Sequence, residues 1–462
     1  MKKALLLFII CLLCLFTSCT KENTTKTSGL PTNSKTPTSD KPSSSTTTNA
    51  SVGISLDNYI DELIEKTPSY IPYWNKESFK GKWNYIDGVF LNSIVNLYYA
   101  TKDSKPNKAL EYKKFLIRYV NYYIDPNGKF LNLKDSEASG FANTELDTIC
   151  ASKILFDLYE ITKDSRYKNA ITFTHNALTN MPKAEGTPNY WHKTSYPNQI
   201  WLDGMYMYAP FLARYAVSYN KPELLDQIKS QYEYIRNNMF NEEIGLYYHG
   251  YDSTKTIFWA NKETGCSQNF WLRSLGWYTV SLCDVLEYYP EGSNKEYLKS
   301  LLNEILDNVL EYQDIETKMF YQLVDKKDIE VLVPKYYLSS LKNTKYTNDS
   351  YISNYVESSG SSMIAYSLLK SSKFGYIEES YFNIGKEIFE GIYTHSFKDN
   401  KLNDICITAG LGPDSKQYRD GSMEYYLAEP VGSDDAKGVG PFIMSYLQYN
   451  YESINIPTPK LF

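Results

Sequence analysis

The chain has 462 residues, enough for one large domain or two or three smaller ones. Its formal net charge is −6 and no basic stripe stands out, which excludes nucleic acid as the main partner. Tyrosine is abundant, with 44 Tyr against 20 Phe and 7 Trp. A phenol ring with a polar tip suits half-wet surfaces such as sugar-binding clefts.

Lys2 and Lys3 precede an apolar run from Ala4 to Phe16, too short to span a bilayer and shaped like a signal-peptide core. The following Ser18-Cys19 is similar to a bacterial lipoprotein signal, although Phe16 stands where Leu is usual. Residues 1–18 are therefore expected to be a signal peptide and Cys19 a lipidated N-terminus, with simple secretion as the alternative. Residues 19–52 are Thr, Ser, Lys, Pro and Asn with hardly an apolar side chain, and read as a flexible tether. The folded part, residues 53–462, is then expected on the bacterial cell surface or periplasmic side, touching the membrane only through its lipid. Its four cysteines, Cys150, Cys266, Cys283 and Cys406, are scattered with no C-x-x-C pair. They read as core thiols rather than a zinc site or a disulfide framework.

Beyond the tether one element recurs: an apolar helix, a polar turn, an amphipathic helix, then a short aromatic segment. The apolar helices begin near Val89, Thr148, Trp201, Gly276 and Ser361, and a last half-unit begins at Gly438. The first helix of each unit is apolar on most sides, as a helix buried on two faces must be. The second alternates charged and apolar residues at helical spacing, as in "PELLDQIKSQYEYI". Five or six antiparallel hairpins of this kind predict an all-α fold closed into an (α/α)6 barrel, with a bundle or open solenoid as the alternative. In such a ring all inner helices start at one mouth, where their N-termini favour an anionic ligand.

The repeat brings scattered residues to that mouth. Asp147 and Asp203 match near the starts of successive inner helices, with Asp203 expected in the second turn of the apolar run after Pro197. Two facing carboxylates cannot easily both ionise, which raises the pKa of one and makes a proton donor. The bland alternative is two helix-start aspartates that never meet. His192 in "NYWHK" and His249 in "LYYHGYD" match in the aromatic segments. Two His with two Asp could ligate a metal, but no tight ligand spacing supports one and no cofactor is expected. Arg273, between Trp271 and Trp277, needs an anionic partner if buried. A ligand carboxylate or cation–π packing in the core would serve. Tyr85 holds the matching place in the first unit.

At these residues the chain resembles the unsaturated rhamnogalacturonyl hydrolases (glycoside hydrolase family 105) and, more distantly, the unsaturated glucuronyl hydrolases of family 88. The resemblance rests on "HKTSYPNQIWLDGMYM", "GLYYHGYD", "NFWLRSLGW", "YVESSGSSMIAY" and "DDAKGVGPF" in that order, and covers most of the chain after the tether. It implies an (α/α)6 barrel with no metal, and Asp203 as general acid/base with Asp147 as the second important carboxylate. It further implies Tyr85, His192, Trp201, His249, Trp271, Arg273 and Trp277 as pocket residues. The implied partner is an unsaturated uronate-terminated oligosaccharide, expected to be a pectin-derived rhamnogalacturonan disaccharide. Glycosaminoglycan or ulvan fragments are the enzymatic alternative, and a lipid-tethered oligosaccharide-binding protein the non-enzymatic one. Two departures from the family pattern bear on substrate choice. Ser274 and Leu275 replace the usual Gly-Asn before Gly276, where they are expected to alter the pocket wall. The stretch from 326 to 354 is long and is expected to reshape the rim.

Overall fold

The computed structural model describes residues 54–67, 72–76, 80–133, 138–337, 343–454, 456 and 461–462. The expected signal peptide, Cys19 and the tether lie outside the described residues. Fourteen helices appear among those described: α1 (Asp57–Glu65), α2 (Tyr85–Thr101), α3 (Pro106–Asn121), α4 (Asp147–Ala151), α5 (Ile154–Thr162), α6 (Ser165–Thr179) and α7 (Gly204–Ser218). The second half adds α8 (Glu223–Met239), α9 (Leu272–Val285), α10 (Ser293–Leu310), α11 (Ser358–Lys373), α12 (Tyr381–His395), α13 (Met423–Ala428) and α14 (Ala436–Asn450).

The inner helices pack in sequence, α2 on α4, α4 on α7, α7 on α9, α9 on α11 and α11 on α14, and α14 returns to α2. That last contact closes the ring. Outer helices α3, α6, α8, α10 and α12 each pair with the inner helix before them. Burial explains the division. α8 buries only Leu225, Ile228, Gln231, Tyr232, Ile235 and Met239, a stripe at three- and four-residue spacing. α7 buries every residue but Val217.

α11 is serine-rich yet buried, which is tolerable because Ser361 and Ser362 donate their hydroxyls back to the carbonyls of Glu357 and Ser358. Its small residues also permit close approach. A Cβ on Gly360 would sit 2.4 Å from Leu272 Cγ, and one on Gly440 would sit 2.8 Å from Val89 Cγ2 at the closing joint. These segments are packing devices. The second inner helix is broken between α4 and α5. At the break the Ser152 hydroxyl accepts from Trp83 Nε1 and Thr174 Oγ1, each at 3.1 Å.

One local expectation is corrected. The apolar run after Pro197 does not start as helix: Gln199–Trp201 is a strand, antiparallel to Gly250–Asp252, with Trp201 opposite Gly250. Helix α7 starts only at Gly204, so Asp203 is its N-cap residue and not part of a second turn. Strand pairing over 50 residues won over the local helical pattern. The four cysteines of the ring are free and buried, in keeping with core thiols.

Candidate active site

Every inner helix offers a polar or charged group where it starts. Tyr85 opens α2, Asp147 opens α4, Asp203 caps α7, Arg273 is second in α9, and Glu357 and Asp435 cap α11 and α14. Backbone hydrogen bonds then stitch three of these segments together. Leu146 N–H donates to His192 O (3.1 Å), His192 N–H to Gln199 O (3.0 Å), and Leu202 N–H to His249 O (2.8 Å). Both carboxylates and both histidines are thereby held in one cluster.

Asp147 is committed within it. One oxygen lies 3.3 Å from His192 Nε2 and the other 2.7 Å from Lys193 Nζ, which also reaches Glu145 at 3.1 Å. Burial pushes the Asp147 carboxyl up, but Lys193 and His192 outweigh it and hold the group well below the usual carboxylate range. Asp203 is the more open of the two, its side chain 10% exposed against 5% for Asp147. Its Oδ1 lies 3.4 Å from His249 Nε2.

His249 is fully buried, and its other nitrogen, Nδ1, lies 2.5 Å from the hydroxyl of Tyr426. Burial pushes that phenol far above its ordinary value, so it keeps its proton. Because the Asp203 carboxylate beside Nε2 can only accept, the ring hydrogen belongs on Nε2 and Nδ1 accepts from Tyr426. Burial also pushes His249 itself down, so at pH 7 it presents an N–H rather than a full charge.

The expected upward shift of Asp203 is not found. Burial raises its carboxyl, and Asp147 adds to that, but His249 and His192 together hold it below its ordinary value. Asp147 is the smallest of these contributions.

The other sequence candidates divide. Trp201 stacks on His192 at 4.4 Å and on Tyr196 at 5.1 Å, and packs with Trp259 and Leu411 under the segment 408–421. Trp271 lies 4.7 Å from the His249 ring and stacks on Tyr426. Tyr85 meets Trp277 edge to face at 6.4 Å, and Trp277, fully buried, stacks on Tyr206 at 4.3 Å.

Arg273 is 2% exposed and already has its anion, Glu357, at 3.9 Å. It also donates to Cys406 O and Ser359 Oγ and lies over Trp271. The ligand carboxylate that burial of Arg273 called for is thus replaced by a protein one. Ser274 and Leu275 are fully buried in helix packing and form no pocket wall. The long stretch near 326–354 forms a three-stranded sheet, Glu330–Leu332, Thr347–Asn348 and Tyr351–Ser353. Its Val331, Tyr337 and Ile352 pack on Tyr425–Ala428. It buttresses α13, which carries Tyr426.

Three residues escaped the sequence reading: Lys193, Tyr426 and Arg419. Lys193 adjoins His192 and was legible as a mouth residue. Tyr426 lies 177 residues from its partner and has no local signal. Arg419 sits in the segment over Trp201, donating to Tyr425 OH at 3.2 Å and Gly410 O at 3.3 Å. No carboxylate among the described residues lies within 4.0 Å of it. Its positive charge is felt at His249. Among the described residues no three His, Cys, Asp or Glu side chains gather as a metal site.

Comparison with known proteins agrees with this geometry. The sequence profile of Glycosyl Hydrolase Family 88 matches residues 59–333 and 343–451. A family 105 glycoside hydrolase structure from C. acetobutylicum is 32% identical, covering 85% of this chain and 98% of that one, with a TM-score of 0.70. A 24.9 kDa protein in the picA locus of Rhizobium radiobacter is 30% identical over 248 residues, 52% of this chain and 96% of that protein. An unsaturated glucuronyl hydrolase from Bacillus sp. GL1, at 12% identity with 86% and 97% coverage, shares the fold with a TM-score of 0.57. The closed ring, the paired mouth carboxylates and these matches together make the chain a member of the family 88 and 105 group of glycoside hydrolases, the unsaturated uronyl hydrolases.

Proposed function

We propose that the protein removes a 4,5-unsaturated uronic acid from the non-reducing end of lyase-generated oligosaccharides, with Asp203 as the general acid/base. The observation that carries this reading is the unequal state of the two carboxylates. Asp147 is tied to Lys193, with His192 beside it, whereas Asp203 faces the mouth with only His249 Nε2 nearby, at 3.4 Å. A two-carboxylate displacement needs a free nucleophile or base opposite the acid, and Asp147 is not free. Hydration of an enol ether needs only one group that gives and takes a proton.

In the proposed step protonated Asp203 gives its proton to C4 and the electron pair of the C4=C5 bond forms the new C–H bond. Water adds at C5, and its proton returns to the Asp203 carboxylate. The hemiketal at C5 opens, the ring oxygen takes a proton, and C1 becomes a hemiacetal that expels the remaining oligosaccharide as an alcohol. The acid is made by the substrate. A uronate carboxylate entering this water-poor cluster raises the Asp203 pKa by like-charge repulsion and lost solvation.

The uronate carboxylate is assigned to Arg419, a cation of the mouth with no carboxylate within 4.0 Å among the described residues. His192, Trp201, Trp271 and Tyr85 are assigned to the sugar, and Arg273 and Trp277 to support from beneath. The rhamnogalacturonan disaccharide is the proposed substrate. The test is loss of the ultraviolet absorbance of the conjugated double bond across a panel of unsaturated disaccharides. Faster turnover of a glycosaminoglycan or ulvan disaccharide would reassign the substrate, and tight binding without turnover would make the protein a binding module. Lipid attachment through Cys19 on the cell surface or periplasmic side is part of the same proposal.

Two substitutions probe the assignment. Arg419→Leu is expected to raise KM by roughly 10–100-fold with a smaller effect on kcat, since a charged hydrogen bond is worth about 1.5–3 kcal/mol. A KM within twofold of wild type moves the carboxylate elsewhere. Tyr426→Phe removes the donor to His249 Nδ1 and should lower kcat by about tenfold, the worth of one hydrogen bond. Its kcat pH profile should shift as well, which loss of packing alone does not produce.

A further inference from the structure

One cavity among the described residues lies away from the mouth. It occupies about 550 Å³ in the opposite half of the ring, walled by Asn92 and Asn96 of α2, Arg214 of α7, Asp284 of α9, Lys370 of α11 and Gln448 of α14. Asp203 and Arg214 are eleven positions apart on α7, roughly 16 Å at 1.5 Å per residue. The stacked pair Trp277 and Tyr206 stands between, since Trp277 meets Tyr85 while Tyr206 lines the cavity. The size suits a mono- or disaccharide.

Among the described residues each lining cation but one has an oxygen partner, and the acidic Glu452 also lines the cavity. Arg214 forms a two-pronged pair with Asp157 at 2.8 and 2.9 Å. Lys370 joins Asp284 at 2.7 Å, and also Glu287. Lys373 donates to the carbonyls of Gln448 and Tyr451. Lys153 is the exception. The break between α4 and α5 sends it, 9% exposed, onto the face of Tyr206 at 3.4 Å, and no carboxylate among the described residues lies within 4.0 Å of its ammonium. Its neighbour Cys150 is no counter-ion, because burial pushes that thiol up to about 11. Asn92 and Asn96, one turn apart on the same face of α2, add amide groups to the wall.

We propose that this cavity is a second ligand site, for a small hydroxylated monocarboxylate of sugar-acid size, with Lys153 as its anion ligand. A single negative charge fits better than a phosphate, because all six inner helices point their C-termini, the negative ends of their dipoles, toward this half. Asn92 and Asn96 receive the hydroxyls, and Phe156 and Phe211 in the lining offer the apolar surface. The site is independent of the proposed reaction at the mouth.

Calorimetric titration with D-galacturonate and with D-galactose, its neutral analogue, tests the assignment. Galacturonate is expected to bind the wild type at least tenfold more tightly than galactose, to lose at least tenfold in Lys153→Met, and to bind Arg419→Leu as it binds wild type. Should Lys153→Met fail to give a folded circular-dichroism spectrum, Asn96→Leu is expected to weaken galacturonate in the same assay. No binding to wild type makes the cavity a water-filled lumen and overturns the proposal. Equal affinity for galactose, or loss in Arg419→Leu with Lys153→Met unaffected, also overturns it, the latter by placing the ligand at the mouth. None of these outcomes touches the double-bond assay, so either reading can fail alone.

Discussion

Replacing Asp203 with Asn is expected to abolish turnover of the unsaturated disaccharide, by roughly 10²–10⁴-fold or more, the contribution of a positioned general acid/base. The fold should survive. Asn is isosteric, its carbonyl oxygen can take the same place 3.4 Å from His249 Nε2, and the N-cap position of α7 tolerates it well. Substrate should still bind, since Arg419 and the aromatic groups are untouched. The wild-type pH profile makes a linked prediction. The reaction needs Asp203 protonated, so the rate falls as pH rises through its pKa. In the free enzyme His249 and His192 hold that pKa below its ordinary value, so kcat/KM should already decline from the acid side. In the complex the uronate charge raises it, so the plateau of kcat should extend to higher pH than that of kcat/KM. Near-normal turnover by the Asn variant, with the fold intact by circular dichroism, removes Asp203 from the role of acid/base.

How much of this was legible in the chain depends on whether the signal was local. The hairpin repeat was legible because each helix advertises its burial at 3.6-residue spacing, and from registration alone Asp147, Asp203, His192 and His249 fell at one mouth. The start of α7 was misread because the apolar run "QIWLDGMYM" carries the same residues whether strand or helix. Only Gly250–Asp252, 50 residues on, decides that Gln199–Trp201 is a strand. The same limit hid Tyr426, and the role of Arg273, whose need for an anion was legible while its partner, 84 residues away, was not. Lys153 reads as an ordinary lysine in an apolar stretch, and only the break after Ala151 turns it into the far cavity. Ion pairing and cavity position are properties of closure, and closure of a ring joins the ends of the sequence.

Arg273 supplies the second large effect, expected in stability rather than in KM. Its guanidinium is 2% exposed and offers charge to Glu357, which is fully buried. Glu357 accepts from Gly360 N–H at 2.7 Å, Ser359 Oγ at 2.5 Å and Cys406 N–H at 3.0 Å, so it caps α11 and ties the Cys406 strand to it. Arg273→Met keeps the aliphatic bulk over Trp271 but leaves that carboxylate without a counter-charge. Breaking a buried pair from one side costs about 3–5 kcal/mol, and the three remaining donors should bring the loss toward the lower figure. Adding Glu357→Gln removes the stranded charge and keeps an oxygen for Ser359 Oγ and Cys406 N–H, at the loss of the Gly360 N–H bond to Oε2, and should recover about half of the loss. The measurement is denaturant unfolding of the two variants and wild type, beside KM for the unsaturated disaccharide. A single variant that unfolds like wild type but needs far more substrate would return Arg273 to the ligand carboxylate. Destabilisation relieved by the second substitution places it in the frame that holds Trp271 against His249.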